Sequence, residues 1–347
     1  MERRHSGNCY DPAPATMTFN PKLLVIAPPE HQVLRSLEGL QRLADISVSN
    51  EQAVLENLTA DTEVILFTGI SSGAINFADI WPHARAVRWV HTLATGVEKL
   101  LFPALIDSAV PLTNARGVFK RSLAEFAVLG ILFHTKRVRR LIENQRERKW
   151  DDFCVRFANG RVLGVVGYGE IGRECALLAR GLGMRVHALR RHPGGAAGNP
   201  AADPVPDREF APEQLQDMLA TLDVLVCAAP LTPHTHHMIS DAQFNVMKRT
   251  AIVINVGRGP VIDETALTAA LRDGRIAGAS LDVFEHEPLP ESSALWGMDN
   301  VLISPHCTDR SMDPDWLDLS MQVFIENFDR YCNGRPLRNI VDKQAGY

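Results

Sequence analysis

At 347 residues, with 46% hydrophobic side chains, the chain is long enough for about two domains of roughly 150 residues each, which excludes a small cross-linked peptide. Its 36 Lys and Arg against 41 Asp and Glu give a net charge of −5, the wrong sign for a dedicated nucleic-acid binder. Gly (24) and Pro (21) are near average usage, so collagen-like repeats and bulk disorder are excluded too.

Residues 1–20 lack both a helical period and the apolar centre of a secretory signal, and are expected to form a mobile tail. No run of 18 apolar residues occurs anywhere, so no membrane partner is expected and the expected location is cytoplasmic. The six cysteines, at 9, 154, 175, 227, 307 and 332, form no C-x-x-C pair, which reads as a reducing compartment without structural zinc.

From Lys22 onward, short apolar runs alternate with helical patterns. Strands are expected at 23–27, 64–68, 87–91, 162–167, 185–189, 224–227, 252–255, 276–281 and 301–304, with helical spacing between them, as at 173–182, 211–221 and 263–273. Strands separated by helices call for right-handed crossovers and parallel sheets covered on both faces, so the fold class is α/β. One long helical pattern, 123–150, places Phe126, Leu129, Phe133, Leu141 and Ile142 on a broad apolar face. Its basic later turns, Lys136 to Lys149, are interspersed with Glu143 and Glu147, which favours a solvated face or subunit contact over a nucleic-acid patch. A domain boundary is expected near its start. The stretch 190–207, rich in Gly, Pro and Ala, reads as a surface loop within a domain.

Gly167-Tyr168-Gly169-Glu170-Ile171-Gly172 is a G-x-G-x-x-G that follows an apolar strand and opens a helix, the context in which the pattern signals dinucleotide binding. The first Gly permits a tight turn, the second lets a pyrophosphate approach the backbone, and the third lets helix pack on strand. About 20 residues on, where an acid ordinarily receives the ribose hydroxyls, stand Arg190 and Arg191. A guanidinium cannot accept from a 2′-hydroxyl but binds a 2′-phosphate, so NADP(H) is expected ahead of NAD(H), with His192 a third contact. The alternative is that Arg190 stacks on adenine or faces solvent without selecting.

Three further segments begin near strand ends: Asn255 to Gly259, Leu281 to Pro288 and Ser304 to His306. Reduction of a 2-oxo acid needs a cation for the carboxylate and carbonyl, and an acid for the new alkoxide. Arg258 fits the first role because a guanidinium binds a carboxylate bidentately and stays charged. His306 fits the second, since imidazole exchanges protons near neutral pH. Glu287 fits as the carboxylate that orients the imidazole and favours its protonated form. His234, His236 and His237 form a close group without a further ligand at defined spacing, so no metal site is expected.

In combination, these segments with Ala229-Pro230-Leu231-Thr232, Thr235, His91 to Glu98, Leu123-Ala124-Glu125 and Gly334 to Asn339 resemble the D-isomer-specific 2-hydroxyacid dehydrogenase family. The resemblance runs from about Leu23 to Val341. It implies two Rossmann-like domains with parallel sheets, a cofactor domain of residues 123–307 inserted into a flavodoxin-like substrate domain of 1–122 plus 308–347. It carries the catalytic roles onto Arg258, Glu287 and His306, cofactor contacts onto Pro230, Thr235, Val256, Gly257 and Asp282, and substrate-carboxylate contacts onto Thr95, Gly96 and Val97. It also implies a homodimer through the cofactor domain.

Arg190 in place of the usual acid resembles the NADP-preferring glyoxylate and hydroxypyruvate reductases, which makes a small 2-oxo acid the expected partner. The pairing of His306 with Glu287 rather than Gln argues against a formate dehydrogenase. Two readings stay open beside the leading one: a phosphite dehydrogenase-like activity, which keeps the same Arg, Glu and His, and a cofactor-sensing binding protein of the corepressor type. The chain departs from the family pattern at Glu98, where Asp is common, and at Cys307 to Arg310, where a small residue usually follows the His. The pocket walls are expected near Ser71 to Gly73, near Thr95 and after His306.

Overall fold

The structure, a computed structural model, describes residues 20–69, 75–191, 206–310 and 316–347. The expected tail (apart from residue 20), the Ser71 to Gly73 wall, His192 and most of the 190–207 stretch lie outside the described residues. Among the described residues, no helix is long and apolar enough to cross a membrane.

Two parallel sheets organise the chain. The first contains β1 (Lys22–Ile26), β2 (Asp45–Ser49), β3 (Val64–Phe67), β4 (Trp89–Thr92) and β5 (Leu112–Asn114) in the order β2-β1-β3-β4-β5. The second contains β6 (Val162–Val166), β7 (Arg185–Leu189), β8 (Arg208–Phe210), β9 (Val224–Cys227), β10 (Ile252–Asn255), β11 (Gly278–Leu281) and β12 (Val301–Ile303). Its order is β12-β11-β10-β9-β6-β7-β8, so the chain reverses direction of travel across the sheet between β6 and β9. The first order is that of flavodoxin-like folds and the second is the doubly wound nucleotide-binding order with one strand added. This is the two-domain α/β fold expected from the alternating pattern.

Continuous apolar runs explain why the central strands are buried on both faces: VILF in β3, VLGVV in β6 and VLVC in β9 have no exposed position. The strands that sequence reading passed over are short or only half buried. β2 (DISVS) alternates polar and apolar residues, β5 has three residues, and β8 is a three-residue edge strand. The helix Trp316–Cys332 returns to the first sheet, packing Leu317, Met321, Phe324 and Phe328 against Leu23, Val25 and Trp89.

The expected single helix over 123–150 is two helices, Lys120–Thr135 and Val138–Arg146, separated at Arg137, whose φ of 56° lies in the left-handed region. The expected apolar face divides with it. Phe126 and Phe133 are buried, whereas Leu129, Leu141 and Ile142 are exposed. The first helix lies close on the second sheet because Gly130 leaves room for the Ser280 side chain and Ile254, which a Cβ at that position would crowd.

Two imidazoles, His91 buried and His134 half-buried, pack beside these sheets. His91 on β4 shares a 2.7 Å hydrogen bond between Nδ1 and the Thr113 hydroxyl oxygen, while its Nε2 has no partner among the described residues. Burial pushes its pKa down to about 3. His134, on the helix Lys120–Thr135, donates from Nε2 to the Ala279 carbonyl at 3.1 Å, and burial pushes it down to about 4. The unfolded chain therefore takes up protons below its histidine value of 6.5 that the folded chain refuses, so stability is full above that pH and is lost as pH falls. Each group should remove about 2 kcal/mol between pH 8 and pH 5, measurable by urea denaturation at the two values. His91→Gln should abolish about its share of the loss; an unchanged pH dependence would contradict the buried neutral imidazole.

Candidate active site

Parallel strands leave a sheet on the same edge, and the candidate residues follow from that. Arg258 lies just beyond β10, Glu287 beyond β11 and His306 beyond β12, three strands adjacent in the second sheet. At about 4.8 Å between strands, their ends fall within about 10 Å of one another.

His306 Nδ1 donates to Glu287 Oε2 at 2.7 Å, and the other carboxylate oxygen, Oε1, accepts from the Phe284 backbone N–H at 3.0 Å. Glu287 is thus anchored to its own loop while it orients the imidazole. His306 itself has φ 48°, a left-handed conformation uncommon for non-glycine residues but adopted more readily by His, Asn and Asp than by most. The turn after it is held by Asp282, whose carboxylate accepts from the Cys307 and Thr308 backbone N–H groups at 3.1 and 3.3 Å and from the Thr308 hydroxyl at 2.6 Å. Asp282, expected to meet a cofactor, is fully buried and braces the His306 turn.

Asp309 follows in the same turn. Among the described residues its buried Oδ1 has no hydrogen-bond partner, and burial holds its carboxyl above the usual carboxylate range, with His306 opposing that shift and Asp282 adding to it.

Arg258 reaches across to the first sheet's loops. Its Nε donates to Glu98 Oε1 at 2.8 Å, with the two side chains 30% and 38% exposed, and one of its Nη groups donates to the Gly257 carbonyl at 2.8 Å. The Asn255 side chain fixes the turn that presents it, donating to the Arg258 carbonyl and accepting from the Gly257 N–H, both at 3.1 Å. Gly96 lies against this guanidinium: a Cβ there would overlap Arg258 Nη2 and crowd Glu98. The loop carrying Thr95, Gly96 and Val97 is pinned by the Asn114 amide, which donates to the Thr95 carbonyl at 2.7 Å, and by Val97, which is buried in the first sheet's core. The structure therefore brings Arg258 to the Thr95–Val97 loop, and it adds Glu98, which sequence reading flagged as a departure without giving it a role.

The glycine-rich turn has the geometry that a phosphate cradle requires. Gly167 has φ 91°, and a Cβ on it would strike the Ala229 backbone; a Cβ on Gly172 would strike the Gly167 carbonyl. Gly169, by contrast, faces open space, which is what a pyrophosphate approaching the backbone needs. It is the N-cap of the helix Glu170–Gly181 and makes no side-chain cap bond, so the first N–H groups of that helix have no capping side chain. Glu170 and Ile171 begin this helix, and the Tyr168 ring is buried beneath the turn. Across the β6/β9 switch point, the Pro230 loop is tied by the Thr235 hydroxyl, which donates to the Pro230 carbonyl at 2.7 Å and accepts from the Thr232 N–H at 2.8 Å. Val256 and Gly257 are buried beside it at the end of β10. These residues fit a dinucleotide.

Arg190 follows β7 directly and pairs with Glu209 on β8, Nη1 to Oε1, at 2.6 Å. Arg191 is exposed, its guanidinium 5.5 Å from the centre of the Tyr347 ring.

His237 stands apart from His234 and His236 as the one with carboxylate neighbours: its ligand atom and those of Asp263 and Glu285 lie within 4.8 Å of one another. These groups already serve the fold. Glu285 pairs with His237 at 2.7 Å and accepts from the Glu264 N–H, and Asp263 caps the helix Glu264–Arg272 and accepts from Ser240.

Comparison with known proteins places this architecture. The family model described as "D-isomer specific 2-hydroxyacid dehydrogenase, NAD binding domain" matches residues 128–308. The chain is 35% identical over 280 residues to a glyoxylate/hydroxypyruvate reductase B of Erwinia tasmaniensis, covering 79% of this chain and 84% of that one. A probable 2-hydroxyacid dehydrogenase from Rhizobium etli, solved with NADP, HEPES and L(+)-tartaric acid, superposes with a TM-score of 0.79 at 26% identity, covering 94% of this chain and 99% of that one. An NADPH-dependent glyoxylate/hydroxypyruvate reductase from Sinorhizobium meliloti, solved with NADP and sulfate, gives 0.79 at 25% identity, covering 94% and 100%.

The Gly96–Arg258 contact makes a direct prediction. Gly96→Ala should push the guanidinium off its present position, so that oxalate, a small carboxylate probe, binds about tenfold more weakly by calorimetry. Unchanged affinity would show that Arg258 is not positioned through Gly96.

Proposed function

This chain belongs to the D-isomer-specific 2-hydroxyacid dehydrogenase family, and from that premise we propose that it is an NADP(H)-preferring reductase of a small 2-oxo acid, glyoxylate or hydroxypyruvate, to the D-2-hydroxy acid. The observation that carries the reading is the 2.7 Å bond from His306 Nδ1 to Glu287, on the same sheet edge from which Arg258 extends. When bound, the nicotinamide supplies the hydride to C2 of the acid.

The protein's part is to bind, orient and protonate. Arg258 holds the substrate carboxylate and polarises the carbonyl, sharing its charge with Glu98, while the backbone of Thr95, Gly96 and Val97 completes the carboxylate site. With Nδ1 engaged by Glu287, Nε2 is the nitrogen of His306 from which a proton passes to the carbonyl oxygen. Gly167, Gly169 and Gly172 with the start of the helix Glu170–Gly181 would hold the pyrophosphate, the Pro230–Thr235 loop and Val256–Gly257 would flank the nicotinamide, and Asp282 would support that end through the His306 turn. Support for NADP(H) is the pair Arg190 and Arg191 at the end of β7, together with the NADP complexes of two structural relatives. NAD(H) is the weaker cofactor in this reading.

We take residues 1–122 and 308–347 as the substrate domain and 123–307 as the inserted cofactor domain; the packing of the helix Trp316–Cys332 on the first sheet supports this division. The enzyme is assigned to the cytoplasm and to a homodimer. Support for the dimer is the exposed apolar set Leu129, Leu141, Ile142, Trp150 and Phe157 on and after the paired helices.

Steady-state assays with glyoxylate, hydroxypyruvate and larger 2-oxo acids, following loss of reduced-nicotinamide absorbance, test the reading. His306→Ala should lower kcat by about 10²- to 10⁴-fold. Arg258→Lys should raise KM for the acid by more than about tenfold, because an ammonium does not replace a bidentate fork. Full turnover by His306→Ala, or equal kcat/KM for NADPH and NADH, would refute the corresponding part. For the dimer, sedimentation of Leu141→Glu/Ile142→Glu should show a monomer, and an unchanged mass would reject this face.

A further inference from the structure

The end of β7 carries Arg190 where ribose-binding strands ordinarily carry an acid, yet an acid lies against its guanidinium. It comes from the neighbouring strand. β8 pairs with β7 in parallel, Ala188 opposite Glu209 and Leu189 opposite Phe210, and the Arg190 N–H extends the ladder to the Phe210 carbonyl at 2.9 Å. Glu209 Oε1 accepts from Arg190 Nη1 at 2.6 Å, and the two side chains keep only 20% and 16% of their exposure. The same guanidinium lies 5.8 Å from the centre of the Tyr168 ring, inside the glycine-rich turn. Arg190 is therefore held between a carboxylate and an aromatic ring at the mouth of the cradle.

We propose that Glu209 is a specificity-determining residue that sets how strongly this site favours a 2′-phosphate over a 2′-hydroxyl on the adenosine ribose. The inference rests on the preceding reading that the end of β7 receives this ribose. A 2′-phosphate brings close to two negative charges to Arg190, whose positive charge Glu209 already offsets in a partly buried setting where salt screens little. A 2′-hydroxyl, in contrast, is a donor that a carboxylate accepts. Glu209 thus opposes the phosphate and serves the hydroxyl, keeping NAD(H) usable at a site that two arginines alone would close to it. Arg191, beside Tyr347, adds attraction for the phosphate.

Glu209→Gln keeps the size and an acceptor oxygen but removes the charge. Calorimetry on the full chain with adenosine 2′,5′-bisphosphate and adenosine 5′-monophosphate reads the effect without turnover. The variant should bind the bisphosphate about tenfold more tightly with no gain for the monophosphate, and the kcat/KM ratio of NADPH to NADH should rise by a similar factor. In an Arg190→Ala background the same substitution should give no such gain, and Glu209→Asp, which retains the charge, should keep the wild-type order of preference. Equal changes for both nucleotides, no change, or weaker bisphosphate binding would overturn the proposal. If the wild type prefers NADH while Glu209→Gln still gains affinity for the bisphosphate, the cofactor preference proposed above fails and the role of Glu209 stands. If the wild type prefers NADPH and Glu209→Gln moves nothing, the reverse holds.

Discussion

Every strand in both sheets runs parallel to its neighbours, so the loops at the carboxyl ends collect along one edge of each sheet. The candidate catalytic and substrate residues lie in those loops. Arg258, Glu287 and His306 are separated by up to 48 positions in sequence, yet they leave three adjacent strands of the second sheet. The Thr95–Val97 loop leaves β4 of the first sheet and meets them through the Arg258–Glu98 ion pair. Burial of both faces of the central strands is what keeps this edge in register, because a slipped parallel strand would carry apolar residues out of the core.

Within that frame the loops are braced by their own polar bonds. Asp282 ties the turn after His306, Asn255 ties the turn before Arg258, and Thr235 ties the loop across the β6/β9 switch point. None of these three side chains needs to touch a substrate to matter. Each fixes the backbone of a neighbouring candidate residue, and the small tolerances of such sites make that positioning consequential. The glycines act in the opposite sense, by leaving space: Gly96 for the Arg258 guanidinium and Gly169 for a pyrophosphate.

Much of this was legible in the sequence because parallel buried strands are continuous apolar runs and the glycine-rich turn follows one of them. The runs at 162–167 and 224–227 announce themselves, and so do the strand-end positions of Arg258 and His306. What escaped has a common physical cause: short or half-polar segments carry no period. β8 is three residues long at a sheet edge, so Glu209 could not be placed beside Arg190, although the missing acid at β7 was visible. The approach of Asp263 and Glu285 to His237 depends on loops from three strand ends and has no spacing to read. The break at Arg137 was hidden for another reason, since apolar residues recur on both sides of it with helical spacing, and only the left-handed backbone there divides the helix and leaves Leu141 and Ile142 exposed.

In the proposed mechanism one sheet edge presents a carboxylate clamp and a proton donor to the same small acid. A crystal structure of the enzyme with NADP⁺ and oxamate, an unreactive analogue of a 2-oxo acid, tests it most directly. The oxamate carboxylate should lie on Arg258 and the Thr95–Val97 backbone, with its carbonyl oxygen within hydrogen-bonding distance of His306 Nε2 and the Nδ1–Glu287 bond intact. Oxamate bound away from His306, with Arg258 still committed to Glu98 alone, would contradict it.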